Sequence, residues 1–244
     1  MNNIKLIIEY DGTNYHGWQY QTNANTIQGE MLKAIKKITG ENVNLIGAGR
    51  TDAGVHAKGQ VANFKCNVRI PEKRLPYALN SVLPDDIVVK SAEIVDEDFH
   101  ARKSALSKEY RYYILNSEQP SALLRNYVYH FRYRLNLDHM KRGAELLVGT
   151  HDFSAFKAAG GSVTSSVRTI KRLELNTIDE IIELVVEADG FLYNMVRIIT
   201  GTLLLVGTGR MVWSDISQII KSKDRNRAGP TVPPQGLYLY KVFY

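Results

Sequence analysis

Cysteine is almost missing from this chain: Cys66 is the only one in 244 residues. One thiol excludes an intramolecular disulfide and leaves no cysteine-based zinc cluster to build. Long apolar runs are lacking as well. The longest, Ile198–Val206, is interrupted by threonine and glycine and is too short to cross a bilayer, so no membrane partner is expected. Met1-Asn2-Asn3 leads straight into the strand-like Ile4–Glu9, with no charged and apolar regions of a secretory signal. The expectation is a cytoplasmic protein. Neither a lysine-bearing P-loop nor a dinucleotide fingerprint occurs, which disfavours a phosphate-handling metabolic enzyme. No Ser/Gly-rich linker divides the chain. Acids are also in deficit, with 25 Asp and Glu against 31 Lys and Arg, a formal net charge of +6 that suits a polyanionic partner.

What is present is informative by its distribution. Between His100 and Arg134 stand Arg102, Lys103, Lys108, Arg111, Arg125, Arg132 and Arg134, interleaved with tyrosines and phenylalanines. Cations alternating with rings fit a phosphate backbone with bases nearby to stack on. An ordinary exposed sheet face has the same composition.

Periodicity yields one pattern twice. Ile4–Glu9 reads as a strand. After a long polar loop, Asn25 reads as an N-cap with Gln28 as its capping-box partner, ahead of Ile27, Met31, Ile35 and Ile38 at helical spacing. Val43–Ala48 and Gln60–Cys66 follow as strands, then a short helix over Glu72–Val82 entered at Pro71, and a strand at Ile87–Ile94. The second half repeats the order: strand Lys108–Leu115, helix Leu137–Val148, paired strands Val167–Leu175 and Ile181–Ala188, the apolar helix Phe191–Val206, an extra helix at Ser214–Lys221, and a closing strand Leu237–Phe243. The expected fold is α+β: two tandem ferredoxin-like β-α-β-β-α-β halves, 1–100 and 101–244, joined near Asp96–Ser107. Their antiparallel or mixed sheets are expected to adjoin around a basic cleft, a favoured place for a site.

Gly47-Ala48-Gly49-Arg50-Thr51-Asp52-Ala53-Gly54-Val55-His56-Ala57 packs glycines, an arginine, an aspartate and a histidine between two strands. Glycines at this density permit positive φ and close approach to a ligand. A polar turn with an Asx contact reads the same way. Far along the chain, Arg197 is the one charge in the apolar helix Phe191–Val206. A guanidinium there needs a partner. Glu187 or Asp189 are candidates for a structural pair, and Asp52 is the candidate from the other half.

Several blocks in order carry a family resemblance. Gly49-Arg50-Thr51-Asp52-Ala53-Gly54-Val55-His56-Ala57 resembles the catalytic signature of the TruA family of tRNA pseudouridine synthases. So do Tyr10-Asp11-Gly12-Thr13, Tyr15-His16-Gly17-Trp18-Gln19, Thr26-Ile27-Gln28-Gly29, Asp98-Phe99-His100-Ala101-Arg102, Lys108-Glu109-Tyr110-Arg111-Tyr112, His151-Asp152-Phe153-Ser154-Ala155-Phe156 and Phe191-Leu192-Tyr193-Asn194-Met195-Val196-Arg197. One departure is Thr231-Val232-Pro233-Pro234, where similar proteins more often carry Thr-Ala-Pro-Ala. That change is expected to affect packing near the C-terminus and nothing catalytic.

The resemblance implies an isomerase that converts uridine to pseudouridine on the 3′ side of the tRNA anticodon stem-loop. It further implies a homodimer that uses tRNA as its partner and needs no cofactor or metal. By the same resemblance Asp52 is the nucleophile, acting by a covalent ester or a glycal route. Tyr110 contacts the flipped uracil, with its hydroxyl a candidate for the late proton transfer from C5. Arg197 faces Asp52, and Arg50 fills the space of the displaced base or holds a phosphate. His56 orders the loop. His16 and Trp18 are candidates to touch RNA or a dimer partner, and Lys58, Lys65, Arg111, Arg125 and Arg168 are candidate phosphate contacts. A catalytically silent RNA-binding protein on the same fold is the competing reading.

Overall fold

The computed structural model describes residues 1–67, 69–160 and 164–244. Over these it is a mixed α/β structure with five α-helices and ten strands. Two compact units divide the chain: Met1–Leu106 together with Tyr238–Tyr244, and Ser107–Leu237.

In the first unit β1 (Asn2–Tyr10), α1 (Ile27–Thr39), β2 (Ile46–Gly47), β3 (His56–Cys66), α2 (Leu75–Asn80) and β4 (Ile87–Val95) follow the expected order. β1 is central, antiparallel to both β3 and β4. Ile4, Leu6, Ile8 and Tyr10 alternate along it and are all buried, as a strand with one core face requires. β2 is antiparallel to β3 at Ile46 and Gly47. The stripe Ile27, Met31 and Ile35 on α1 is buried as its spacing predicts, together with Ala34; Ile38 is not fully covered.

Three local expectations are corrected. The N-cap of α1 is Thr26, whose side chain accepts from Gly29 N–H, so the cap sits one residue beyond Asn25. Gln28 is not a capping-box partner: its Oε1 accepts from Tyr20 N–H at 2.7 Å and its Nε2 donates to the Leu45 carbonyl at 2.8 Å. That bond also explains the third correction. The Val43–Ala48 strand shrinks to two residues, because the Leu45 carbonyl is satisfied by a glutamine side chain and not by a neighbouring strand.

The closing strand β10 (Leu237–Phe243) runs parallel to β3, pairing Tyr238 with His56 and Leu239 with Ala57. Read along the sequence it ends the second half; spatially its residues from Tyr238 onward lie with the first unit.

In the second unit β5 (Ser107–Leu115), β9 (Ile181–Ala188), β8 (Val167–Ile178) and β7 (Gly149–Asp152) stand in that order, with the short β6 (Tyr129–His130) parallel to β5. β6 and β7 are additions to the pattern read from the sequence. Helix α3 (Leu137–Glu145) precedes β7, and α4 (Met195–Gly207) and α5 (Asp215–Ser222) follow β9. α4 begins four residues later than Phe191, because Asn194 turns into the left-handed region at φ 59°. All of α4 is buried except Arg197 and Leu205. Its buried threonines donate back to the carbonyls four residues earlier, Thr200 to Val196 and Thr202 to Ile198, so no hydroxyl is stranded.

Lys223, at φ 55° past the end of α5, places its Nζ 2.7 Å from the Asp152 carboxylate. That contact and the Ser154 hydroxyl and N–H hold Asp152 down to about 2, below the ordinary carboxylate value. A carboxyl lowered on folding stabilises above its unfolded pKa and loses that contribution as pH falls through the folded one. Lys223→Met is therefore expected to cost about 0.5–1 kcal/mol at neutral pH, the scale of an exposed pair. The difference between mutant and wild type, measured by urea unfolding, shrinks as pH falls from about 4 to about 2.

Candidate active site

The glycine loop crosses from β2 to β3, and its backbone is fastened at successive residues. Ala48 N–H donates to the Val61 carbonyl at 2.7 Å, and Gln60 Nε2 donates to the Gly49 carbonyl at 2.9 Å. Thr51 is buried; its hydroxyl lies 2.7 Å from the Tyr10 phenol and its carbonyl accepts from Trp18 N–H at 3.0 Å. Burial pushes the Tyr10 phenol well above its ordinary value, so this is a neutral hydroxyl pair at working pH. Asp52 then opens a tight turn. Its carbonyl accepts from Val55 N–H at 3.1 Å, with Gly54 at φ 74° in the position where a type II turn requires positive φ. Gly54 N–H donates onward to the Tyr15 carbonyl. Asp52 is thus half-buried on a backbone bonded on both sides of it.

The first loop, Asp11–Asn25, makes much of this frame. Gly17 has φ 85°, and a Cβ there would stand 2.4 Å from the Thr51 carbonyl oxygen and 3.0 Å from the Asp52 carbonyl carbon. Gly12 approaches the far side as closely, with a would-be Cβ 2.0 Å from the Val55 carbonyl oxygen. The two backbones touch because neither position carries a side chain. Trp18, expected at the surface, is only 2 % exposed; its indole lies against Gly47 and tilts over Tyr10 at 6.1 Å. It is a core residue that sets the height of the glycine loop. His16 is exposed.

His56 is buried, accepts from Gly12 N–H at Nδ1 (3.1 Å), and stacks on Tyr238 with ring centroids 4.7 Å apart. Its Nδ1 also lies 3.1 Å from the Asp11 carboxylate. These contacts tie the first loop, the start of β3 and β10 together at one imidazole, an ordering role. Arg50 is exposed, and its Nε donates to Gln19 Oε1 at 3.1 Å. Gln19 in turn donates to Gln28, so the arginine stem is steadied by a relay that ends on the Leu45 carbonyl.

In the second unit Tyr110 is buried on β5 opposite Val186, with Phe191 meeting its ring edge-on at 4.9 Å. Arg197 stands in the first turn of α4. Its Nε donates to the Val232 carbonyl and its Nη1 to Asn194 Oδ1, both at 2.7 Å. The Thr231-Val232-Pro233-Pro234 segment, expected to matter only for packing, therefore holds this guanidinium, and the Pro233 carbonyl accepts from the neighbouring Tyr112 hydroxyl. Both contacts span many residues, so no local pattern announces them. Glu187 accepts from the Ser107 hydroxyl and Asp189 from Thr169 N–H.

Arg111 is corrected as a phosphate candidate. Its Nε and Nη1 each lie 2.8 Å from a carboxylate, Glu109 and Glu183, and Arg172 binds Glu109 at 2.6 Å. Burial opposes ionisation of Glu183, but the Arg111 and Asn176 hydrogen bonds outweigh it and hold the carboxyl below its ordinary range. Here a cation in an alternating strand joins β5 to β9, and Glu109 carries the network on to Arg172 of β8. Arg125 and Arg168 donate to nearby carbonyls, of Ala122 and of Ser165 and Val167, and Lys65 lies 3.4 Å from Glu97; Lys58 is exposed.

None of the described helices is long and apolar enough to cross a membrane. Residues 6–102 and 144–244 match the sequence profile of a family described as tRNA pseudouridine synthase. Full-length similarity runs alongside. The chain is 59 % identical to the tRNA pseudouridine synthase A of Thermoanaerobacter sp. (strain X514) over 244 residues, covering 100 % of both chains. It is 57 % identical to that of Acetivibrio thermocellus and 54 % identical to that of Caldicellulosiruptor saccharolyticus, again across the whole of each.

Proposed function

The chain belongs to the tRNA pseudouridine synthase family and isomerises uridine in tRNA, and on that premise we propose that Asp52 is the carboxylate that acts at C1′ of the uridine. The target we assign is the 3′ side of the anticodon stem-loop. One observation carries the role of Asp52: it sits in a turn whose backbone is bonded through Thr51, its own carbonyl and Gly54, on a frame where two glycines admit the first loop to backbone contact. A group held this firmly meets the positioning demand of a reaction at a sugar carbon.

The chemistry balances without a co-reactant. The N1–C1′ bond breaks, the uracil turns, C5 bonds to C1′, and the proton on C5 is passed to N1 through solvent or a neighbouring group. The uridine must first leave its stack, at a cost of a few kcal/mol. In this reading the Tyr110 ring receives the uracil, an interaction of about 1–3 kcal/mol for a stacked base. Arg197, fixed by the Val232 carbonyl and Asn194, serves as a substrate-binding cation, and Arg50, exposed and steadied by Gln19, occupies the vacated position or holds a phosphate.

The strand order β4-β1-β3-β2 in the first unit, with α1 and α2 as its crossovers, supports a ferredoxin-like half. We read the second unit as the other half, in a cytoplasmic homodimer that requires no cofactor.

The test is to incubate unmodified tRNA with the protein and map carbodiimide-reactive pseudouridines. Conversion confined to the 3′ side of the anticodon stem-loop is expected. Conversion in another arm of the tRNA overturns the assignment of target.

A further inference from the structure

The second unit carries a cluster of arginines that the proposed reaction does not use. It lies where the segment entering α3 meets the loop leaving α4, pinned together by Asn136 N–H donating to the Gly207 carbonyl at 2.8 Å. Tyr133 ends an aromatic ladder here, with Tyr129 to Phe131 at 6.0 Å and Phe131 to Tyr133 at 5.6 Å, and it is 47 % exposed. Two guanidiniums lie over its ring: the Arg132 Cζ is 5.0 Å and the Arg210 Cζ 5.7 Å from the centroid. Arg132 also donates to the Tyr133 hydroxyl at 3.1 Å. The arrangement recurs three residues past Arg210, where Trp213 carries Arg142 at 5.9 Å. Arg134 is exposed beside Tyr133.

Among the described residues, none of Arg132, Arg134, Arg142 and Arg210 is in an ion pair. Of the nearby acids, Asp138 lies in the first turn of α3, and Asp215 in that of α5 accepts from Val212 N–H. Three of the four are held against rings, Arg132 and Arg210 on Tyr133 and Arg142 on Trp213. A ring attracts a guanidinium and limits its freedom without neutralising it. The charge stays available, and the fork geometry suits phosphate oxygens.

We infer that this patch is a docking surface for the phosphate backbone of tRNA. The nature of the RNA rests on the proposed function, whereas the anion-binding character rests on the four arginines. A phosphodiester strand presents anions in series, matching cations spread over two adjoining segments. A two-fold contact centred on this patch would set it against its own arginines, which disfavours a second copy as the occupant.

The test is tRNA affinity measured across a salt series for the full-length enzyme with Arg132→Gln, Arg210→Gln and the pair, using tRNA whose target uridines are replaced by cytidine. Each single change is expected to weaken binding about threefold and to reduce the log–log salt slope by about one; the pair should lose about tenfold and a slope of about two. The kcat at saturating unmodified tRNA stays at the wild-type value. Wild-type affinity and slope in the double variant overturn the inference. An altered oligomeric state in sedimentation with unchanged affinity also overturns it, assigning the patch to contact between copies. Affinity and salt slope report binding whichever uridine is converted, so failure of the proposed target leaves this result standing by itself.

Discussion

Replacing Asp52 by alanine is expected to abolish pseudouridine formation, with a loss in single-turnover rate of roughly a thousandfold or more, while tRNA affinity stays within a few fold. Removal of a group that attacks the reacting carbon takes away an interaction made only in the transition state, so kcat falls and binding does not. The fold is expected to survive, because the turn is closed by backbone groups, the Asp52 carbonyl and Val55 N–H, that the substitution retains. Asp52→Asn provides the shape-preserving control: it keeps the volume and removes the charge. Activity near the wild-type level in both variants, with pseudouridine verified chemically, would remove Asp52 from the reaction and leave the glycine loop as a structural turn.

Gly17→Ala is expected to be nearly as damaging without touching any reacting group. The position has φ 85°, which costs an alanine about 1–2 kcal/mol. Its methyl would also meet the Thr51 carbonyl oxygen at 2.4 Å, a backbone atom that yields only if the Asp52 turn moves. The expected outcome is destabilisation of roughly 2–4 kcal/mol by denaturant unfolding and a rate loss on the order of a hundredfold, as for a displacement of about 1 Å in a positioned group. Gly40→Ala separates strain from position. Gly40 has φ 76° but nothing within 4 Å of its would-be Cβ, and it lies at the end of α1. That variant should lose about 1–2 kcal/mol from its φ alone and retain kcat. Equal kinetic losses in the two variants would show that the contact with Thr51 has no catalytic consequence.

Much of the site was legible because its residues are contiguous. The run from Gly47 to Ala57 is one loop in the structure as in the sequence, and Gly54 sits where the turn needs positive φ. Trp18 shows where local reading fails. In a polar loop flanked by His16 and Gln19 it looks like a surface aromatic, yet it is buried because Gly47, 29 positions later, leaves room for its indole. Arg111 fails in the opposite sense. It belongs to a basic, aromatic segment that suits RNA, but Glu183 arrives from β9, the strand adjacent to β5, and claims it.

From the sequence by itself follow the elements with strong apolar periodicity, the deficit of cysteine and of acids, and the motif that carries Asp52. Each is a property of neighbouring residues or of composition, and alternation or helical spacing is enough to state it. Only the tertiary structure decided which distant partner meets which: Val232 holding Arg197, β10 closing on β3, and Arg210 resting on Tyr133 and Arg142 on Trp213 without an acid. Those contacts join groups brought together by packing, and their energy depends on distance and burial that a linear pattern does not contain. The same dependence makes Gly17, an unremarkable letter in a loop, the residue on which the placement of Asp52 turns.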